Sequence, residues 1–176
     1  MSLTRAPRLE TDRLILRSPE TADAEAYIAF LTDRPRADGF GAYDNRGDAW
    51  RWFALNVGHW HIHGYGYFTL ELKDTGAVAG ICGIWNPEGW PEPEIGWALF
   101  AGHEGKGLAV EAALRARRWA YEDLGLPALT SNIVPGNARS AALAERLGAV
   151  LERTYDNVYM GQEELWRHPA PKDVLP

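Results

Sequence analysis

The stretch "HEGKGLAVEA", residues 103–112, sets two glycines around a lysine and then runs straight into alanine-rich sequence. Glycine in a helix interior costs about 1 kcal/mol relative to alanine, so Gly105 and Gly107 are poor helix formers. Ahead of the loop, "EIGWALF" (94–100) reads as a strand. Behind it, Gly107 to Leu124 reads as one long helix with Gly125 as its C-terminal stop. Backbone N–H groups of such a loop can approach an anion at a helix N-terminus, where the macrodipole is positive. Any fold for this chain must therefore hold a strand–loop–helix unit past its midpoint. The loop is a candidate phosphate site, or else a plain glycine-rich connection.

The remaining segments fall around that unit. "RLETDRLILR" reads as a first strand, with Leu14 and Leu16 alternating with Arg13, Ile15 and Arg17. "SPETADAEAYIAFLTD" carries a helix-start signature, with Ser18 as N-cap and Pro19 at the first position, followed by Ala24, Tyr27, Ile28 and Leu31 at helical spacing. A second helix is expected over "RGDAWRWFALNVGHW", with Trp50, Phe53, Ala54 and Val57 on one face. "YGYFTLELK", the turn "DTG" and "AVAGICGIW" read as a hairpin. After the long helix come a strand "ALTSNIV", a helix "NARSAALAERLG" and a closing strand pair, "VLERTYDNVYM" and "EELWRH". The order is β-α-α-β-β-β-α-β-α-β-β. No interior linker interrupts it, so residues 8–168 read as one α/β (α+β) domain and 169–176 as a loose tail.

Composition narrows the function classes. The chain has 176 residues, 46% hydrophobic and 24% charged, with a formal charge of -6. That charge argues against a generic nucleic-acid binder and fits a cationic substrate. One cysteine, Cys82, excludes an intrachain disulfide framework; mid-strand among apolar neighbours, it reads as inert core. No stretch approaches the roughly 18 apolar residues of a membrane span. The opening "MSLTRAPRLE" lacks the apolar core of a signal peptide, so the expected location is cytoplasmic. His59, His61 and His63 form an H-x-H-x-H run, but on a helix only His59 and His63 share a face, and no third ligand is near. No metal is expected there; a cleft wall or a surface is.

Three phosphate loops compete for 103–109. A Walker loop needs Ser or Thr after Gly-Lys, and Gly107 follows Lys106. The dinucleotide fingerprint needs a third glycine where Val110 stands, in a unit near the chain's start. The run Glu104-Gly105-Lys106-Gly107-Leu108-Ala109 resembles instead the Q/R-x-x-G-x-G/A pyrophosphate loop of the GNAT superfamily of acyl-CoA N-acyltransferases. It matches at the Gly and Ala and departs at Glu104, where Gln or Arg is usual. "LETDRLILR", "EIGWALF" with "GKGLAVEA", and "NIVPGNARSAALAERLGAV" with Asn137 and Ser140 resemble the branch containing the RimJ/RimL ribosomal-protein acetyltransferases. The similarity spans roughly residues 8–168.

The resemblance implies a single GNAT fold: a mixed, mostly antiparallel sheet of about seven strands with four helices, splayed between the fourth and fifth strands. Acetyl-CoA is the implied co-substrate. Its pantetheine would lie in the splay along the backbone of Trp97, Ala98 and Leu99, with its diphosphate on the N–H groups of 105–109. Lys106 could add a point charge, while Glu104 must point away. Asn137 would bond the cofactor or a neighbouring backbone, or simply cap its helix.

An amine acceptor must be neutral to attack a thioester. A lysine-like amine costs about 4–5 kcal/mol to deprotonate at pH 7, an α-amine about 1–1.5. By analogy with the family, Glu94 is the candidate base or water-positioning group, with a solvent-facing strand end as the alternative. Ser140 is the candidate hydrogen-bond donor to the leaving sulfur, with Tyr155 and Tyr159 as reserve acids. Trp50, Trp52, Trp60, Trp85, Trp90 and Trp97 fall in segments that wall the acceptor cleft in this fold, though some belong to the core. The expectation is a monomeric or homodimeric N-acetyltransferase that moves an acetyl group to a primary amine, on a small molecule or a protein N-terminus. A CoA-binding sensor without turnover is the rival. Neither nucleic acid nor membrane is an expected partner.

Overall fold

The computed structural model describes residues 3–176. Its eight strands form one sheet in the order β1-β2-β3-β4-β5-β6-β8-β7. The strands are β1 (Leu9–Glu10), β2 (Leu14–Arg17), β3 (Tyr67–Leu72), β4 (Val78–Trp85), β5 (Glu94–Leu99), β6 (Thr130–Ile133), β7 (Val150–Asn157) and β8 (Gly161–Arg167). Every neighbouring pair is antiparallel except β5 and β6. The helices are α1 (Ala24–Leu31), α2 (Arg34–Ala37), α3 (Arg46–His63), α4 (Leu108–Glu122), α5 (Ala138–Arg146) and α6 (Pro171–Val174). The expected first strand is two, because 11–13 turn the chain: Thr11 N–H bonds the Leu14 carbonyl at 3.0 Å.

Each face of the sheet is covered by helices chosen by their apolar stripes. On one, α4 lays Ala112, Ala113, Ala116 and Ala120, all fully buried, against Leu14, Leu16, Phe68, Leu70, Ile84 and Ile95. Small residues let that helix approach the sheet closely. On the other, α1 and α3 bring Tyr27, Ile28, Leu31, Trp52 and Phe53 onto Ile81, Trp85 and Phe100. Each large apolar side chain buried in this way contributes about 1.5–3 kcal/mol. A third, smaller cluster packs Ala144 of α5 on Ile133, Ala149 and Trp166.

Several local expectations are corrected. Ser18 is not a helix cap: it is buried, with its hydroxyl bonded to Thr4. A 3-10 turn at Thr21–Asp23 leads into α1 instead, capped by Glu20 and Asp23 in reciprocal bonds. Along α3, Trp50 is 54% exposed, and the buried face runs through Ala49, Trp52, Phe53, Asn56, His59 and Trp60. The helix also continues to His63, where Gly64 takes the left-handed conformation that ends it. In 169–176, α6 forms a single turn and Leu175 packs partly buried against the core. No helix among the described residues is long and apolar enough to cross a membrane.

Candidate active site

Strands β5 and β6 share one paired position, Glu94 with Thr130, and then part. At the closed end, the Ser131 hydroxyl donates to the Ile95 carbonyl at 2.7 Å. His168 sits behind it, with Nε2 2.8 Å from Ser131 Oγ, and Arg117 reaches both His168 Nδ1 at 3.3 Å and the Leu147 carbonyl at 2.6 Å. Arg117 is a donor only, so Nδ1 must accept and Nε2 must carry the proton. Burial and the adjacent Arg117 hold His168 neutral, with its pKa pushed down to about 3. A buried polar chain thus pins the two strands where they separate.

Beyond that point the strands open onto a groove of about 680 Å³, lined by Trp97, Ala98 and Leu99 on β5 and by Asn137, Ser140 and Leu143 around α5. Its far end is the glycine loop. Gly105 and Gly107 have φ of 74° and 77°, which side-chain-bearing residues rarely adopt. Gly107 is the N-cap of α4 and offers no side chain, so the first-turn N–H groups of Leu108, Ala109 and Val110 lack an intrahelical or capping acceptor. The loop is braced from the β1–β2 turn: the Glu111 carboxylate accepts from the Thr11 hydroxyl, the Arg13 N–H at 2.9 Å and the Arg13 guanidinium at 2.7 Å. Arg13 also bonds the Lys106 carbonyl at 2.9 Å.

The charged side chains of the loop are engaged locally. Glu104 accepts from the Gly102 N–H at 3.0 Å and pairs with Arg36 of α2. Lys106 donates to the Gly102 carbonyl at 2.8 Å and does not line the groove. Arg36, Arg139 and Arg146 supply the groove's positive charge instead.

A second cavity, of about 450 Å³, opens on the other side of the splay. It shares Trp97, Asn137, Ser140, Gly39 and Phe40 with the groove, so the two spaces meet at the head of α5. Glu94 lines the cavity and is only 8% exposed. Its Oε2 accepts from the Asn132 N–H at 3.0 Å and from the Asn132 side chain at 2.9 Å, while its Oε1 accepts from Trp90 Nε1 at 2.9 Å. Those donors favour the carboxylate, but burial outweighs them and raises its pKa to about 7. Asn132 Oδ1, beside it, is buried without a partner among the described residues. Across the cavity, Glu163 accepts from the Tyr155 hydroxyl at 2.9 Å and from Asn157 at 3.0 Å, and burial raises its pKa too.

Residues 13–150 match the acetyltransferase (GNAT) domain family. The chain belongs to that family. It is 40% identical to the crystal structure of an acetyltransferase from Agrobacterium tumefaciens str. C58, over 93% of this chain and 94% of that one, with a TM-score of 0.84. It is 29% identical to the uncharacterized protein YkkB of Bacillus subtilis (strain 168), covering 84% of this chain and 87% of the relative. A ribosomal-protein-S5-alanine acetyltransferase from Vibrio fischeri shares the fold at 18% identity, with a TM-score of 0.73 over 97% and 100% of the two chains. The chemistry of a GNAT acetyltransferase is acyl transfer from CoA to an amine.

Within this GNAT chain, the splayed edge of β5, the glycine loop and the Asn137–Ser140 helix start line one groove. Asn137 caps α5, with Oδ1 accepting from the Ser140 N–H at 3.3 Å, and both side chains stand at the junction of the cavities. Of the tryptophans expected at the cleft, Trp52, Trp85, Trp90 and Trp97 line the cavity. Trp60 packs in the core with Phe68 and Trp119, and Trp50 lies on the surface. His59 is buried and stacked on Trp85 at 4.3 Å, and both its ring nitrogens bond backbone, at Tyr65 and Asn86. Tyr155 gives its hydroxyl hydrogen to Glu163, and Tyr159 is an exposed ring stacked on Trp90 at 5.8 Å. Sequence reasoning missed Arg36, Tyr67, Asn132 and Glu163. None sits in a local motif; only the sheet order brings them to the site.

Proposed function

We propose that this chain is an N-acetyltransferase that moves an acetyl group from acetyl-CoA to a primary amine by direct attack, with both substrates bound together. The observation that carries the reading is the junction. A groove ending in a helix N-terminus meets an anionic cavity at Trp97, Asn137 and Ser140, which line both.

The groove fits the co-substrate. Anions favour a helix N-terminus, and the uncapped N–H groups after Gly107 suit a diphosphate without basic loop side chains. The edge of β5 along Trp97, Ala98 and Leu99, unpaired with β6 among the described residues, offers backbone groups to the pantetheine amides. Glu104 stays with Arg36 and Gly102, so its charge is offset where it would otherwise oppose a phosphate.

Glu94 is assigned as the base. With a pKa of about 7 it is half ionised at neutral pH, close to the best compromise for general-base work. An ammonium acceptor gives one proton to the Glu94 carboxylate, directly or through one water, and becomes the nucleophile. Its nitrogen attacks the thioester carbonyl carbon; the C–N bond forms, the C–S bond breaks, and the electron pair leaves on sulfur. The nitrogen's second proton goes to the leaving thiolate, and Glu94 returns its own to solvent. Ser140, at the junction, hydrogen-bonds the leaving sulfur.

The test is thiol release from acetyl-CoA across a panel of primary amines, with the product mass checked for one added acetyl group. Acetyl-CoA bound without thiol release on any amine would leave a CoA-binding protein and sink the enzyme reading.

A further inference from the structure

Glu88, Glu94 and Glu163 all line the acceptor-side cavity, and among the described residues its lining holds no Lys, Arg or His. Elsewhere the protein matches its sheltered carboxylates with guanidinium groups: Asp23 and Glu71 with Arg17, Glu92 with Arg167, Glu111 with Arg13. Glu94 and Glu163 break that pattern. They are 8% and 4% exposed, and their hydrogen-bond partners are neutral: Trp90 and Asn132 for one, Tyr155 and Asn157 for the other. Two buried carboxylates on one cavity without a cation are expensive to ionise, and a bound cation relieves both.

The walls suit an apolar body on that cation. Phe40, Trp52, Tyr67 and Trp85 form a connected set of rings, with centroids 5.3 to 5.6 Å apart. Ring faces attract ammonium groups and accept a flat apolar group equally well. Gly96 admits the Tyr67 ring into this wall, because a Cβ there would stand 2.1 Å from the Tyr67 hydroxyl.

Over the cavity, the β7–β8 turn reaches both flanking loops. A Cβ on Gly89 would meet Val158 at 2.9 Å, a Cβ on Gly41 would meet Met160 at 3.5 Å, and Trp90 stacks on Tyr159. A polypeptide acceptor needs an open path for the residues behind its first one. Tyr159 and Met160 of this turn line the cavity and so narrow such a path.

We infer that the acceptor is a compact ammonium compound whose amine is carried on one aromatic or similarly bulky apolar body, a small arylalkylamine in class, with Glu163 holding the ammonium beside Glu94. Polyamines and protein N-termini are the excluded alternatives. The inference rests on the N-acetyltransferase reading above, and its test separates the two.

Full-length protein is assayed for thiol release at pH 7.5 with 2-phenylethylamine, spermidine and a tetrapeptide with a free N-terminus. The expected kcat/KM for 2-phenylethylamine exceeds the others by roughly tenfold or more. Glu163→Gln, which keeps shape and hydrogen bonding, should raise KM for 2-phenylethylamine roughly tenfold with kcat within about threefold. The neutral isostere 2-phenylethanol should inhibit parent and variant alike. Faster turnover of spermidine or the tetrapeptide overturns the acceptor class and leaves the transferase reading standing. If no amine is acetylated, that reading falls, and calorimetric titration of 2-phenylethylamine into the CoA-bound protein decides the acceptor class. Binding that weakens in Glu163→Gln sustains it, and no binding overturns it.

Discussion

Asn132 donates twice to one oxygen of Glu94, from its backbone at 3.0 Å and its side chain at 2.9 Å. Both bonds favour the ionised carboxylate, so Asn132 limits how far burial raises the Glu94 pKa above its ordinary value. The kcat/KM profile on an amine should therefore rise through about pH 7 as Glu94 loses its proton. Asn132→Ala removes one charge-favouring bond and should move that rise to higher pH. A rise at the same pH in parent and variant would detach it from Glu94.

Glu94→Gln keeps the shape and removes the basicity. Turnover of a high-pKa amine at pH 7 should fall by about 10²–10⁴, the usual worth of general-base assistance. The loss should shrink for an α-amine and at raised pH, where neutral amine is already plentiful. Acetyl-CoA affinity should barely change. Turnover within a few-fold of the parent at pH 7 would place the base elsewhere.

The same carboxylate carries a stability signature. A group whose folded pKa lies above its unfolded value binds its proton more tightly in the native state. Its contribution is fully present below about 4.5 and is lost as pH rises through about 7. On that difference the loss is about 3 kcal/mol. Glu94→Gln should thus gain melting temperature relative to the parent at pH 8 and show no such gain at pH 4. Parallel melting curves across pH would contradict the buried, proton-binding Glu94.

At the loop, Gly107 has φ 77° and a Cβ there would approach Arg13 at 3.6 Å. Gly107→Val should lower acetyl-CoA affinity by about tenfold or more, about 1.4 kcal/mol, in a protein that still melts cooperatively. Calorimetry on the folded variant reads this directly; unchanged affinity moves the diphosphate to another place.

Arg36 and Glu104 offer an opposed pair of variants. Arg36→Gln removes a groove cation and leaves Glu104 unneutralised, so acetyl-CoA should bind several-fold more weakly, with less dependence on salt. Glu104→Gln leaves Arg36 paired with Asp33 alone and should tighten binding by a few-fold, a modest effect because these side chains are partly solvated. Weakening by both would make the pair a structural tie.

What could be read in the chain was local chemistry. Gly105, Gly107 and the alanines behind them declare a loop and a close-packed helix wherever they occur. Asn137 and Ser140 announce their helix start at a spacing of three. Trp50 misled because α3 buries a polar residue, Asn56, whose side chain bonds both the N–H and the carbonyl of Tyr67. Hydrophobic periodicity is blind to a buried face that includes such a residue. Glu163 and Asn132 were invisible for a different reason. They come to the same cavity as Glu94 only because β6 and β8 pair next to β5, a fact of sheet order that no short window contains. Arg36 lies 68 residues from its partner Glu104.

The single pairing of Glu94 with Thr130 leaves the sheet as two panels joined at one corner. β1 to β5 form the larger, and β6, β8 and β7 the smaller; the Arg117–His168–Ser131 chain acts as the clasp. Without ligand, the seam from Gly96 to Leu99 should be the place where deuterium enters the middle of the sheet first. On the proposed reading, the pantetheine of acetyl-CoA laid along Trp97, Ala98 and Leu99 would act as a ninth strand in all but covalent connection. Bound co-substrate would then slow exchange along that seam, because it would bridge the two panels that the Glu94–Thr130 pairing joins at one corner.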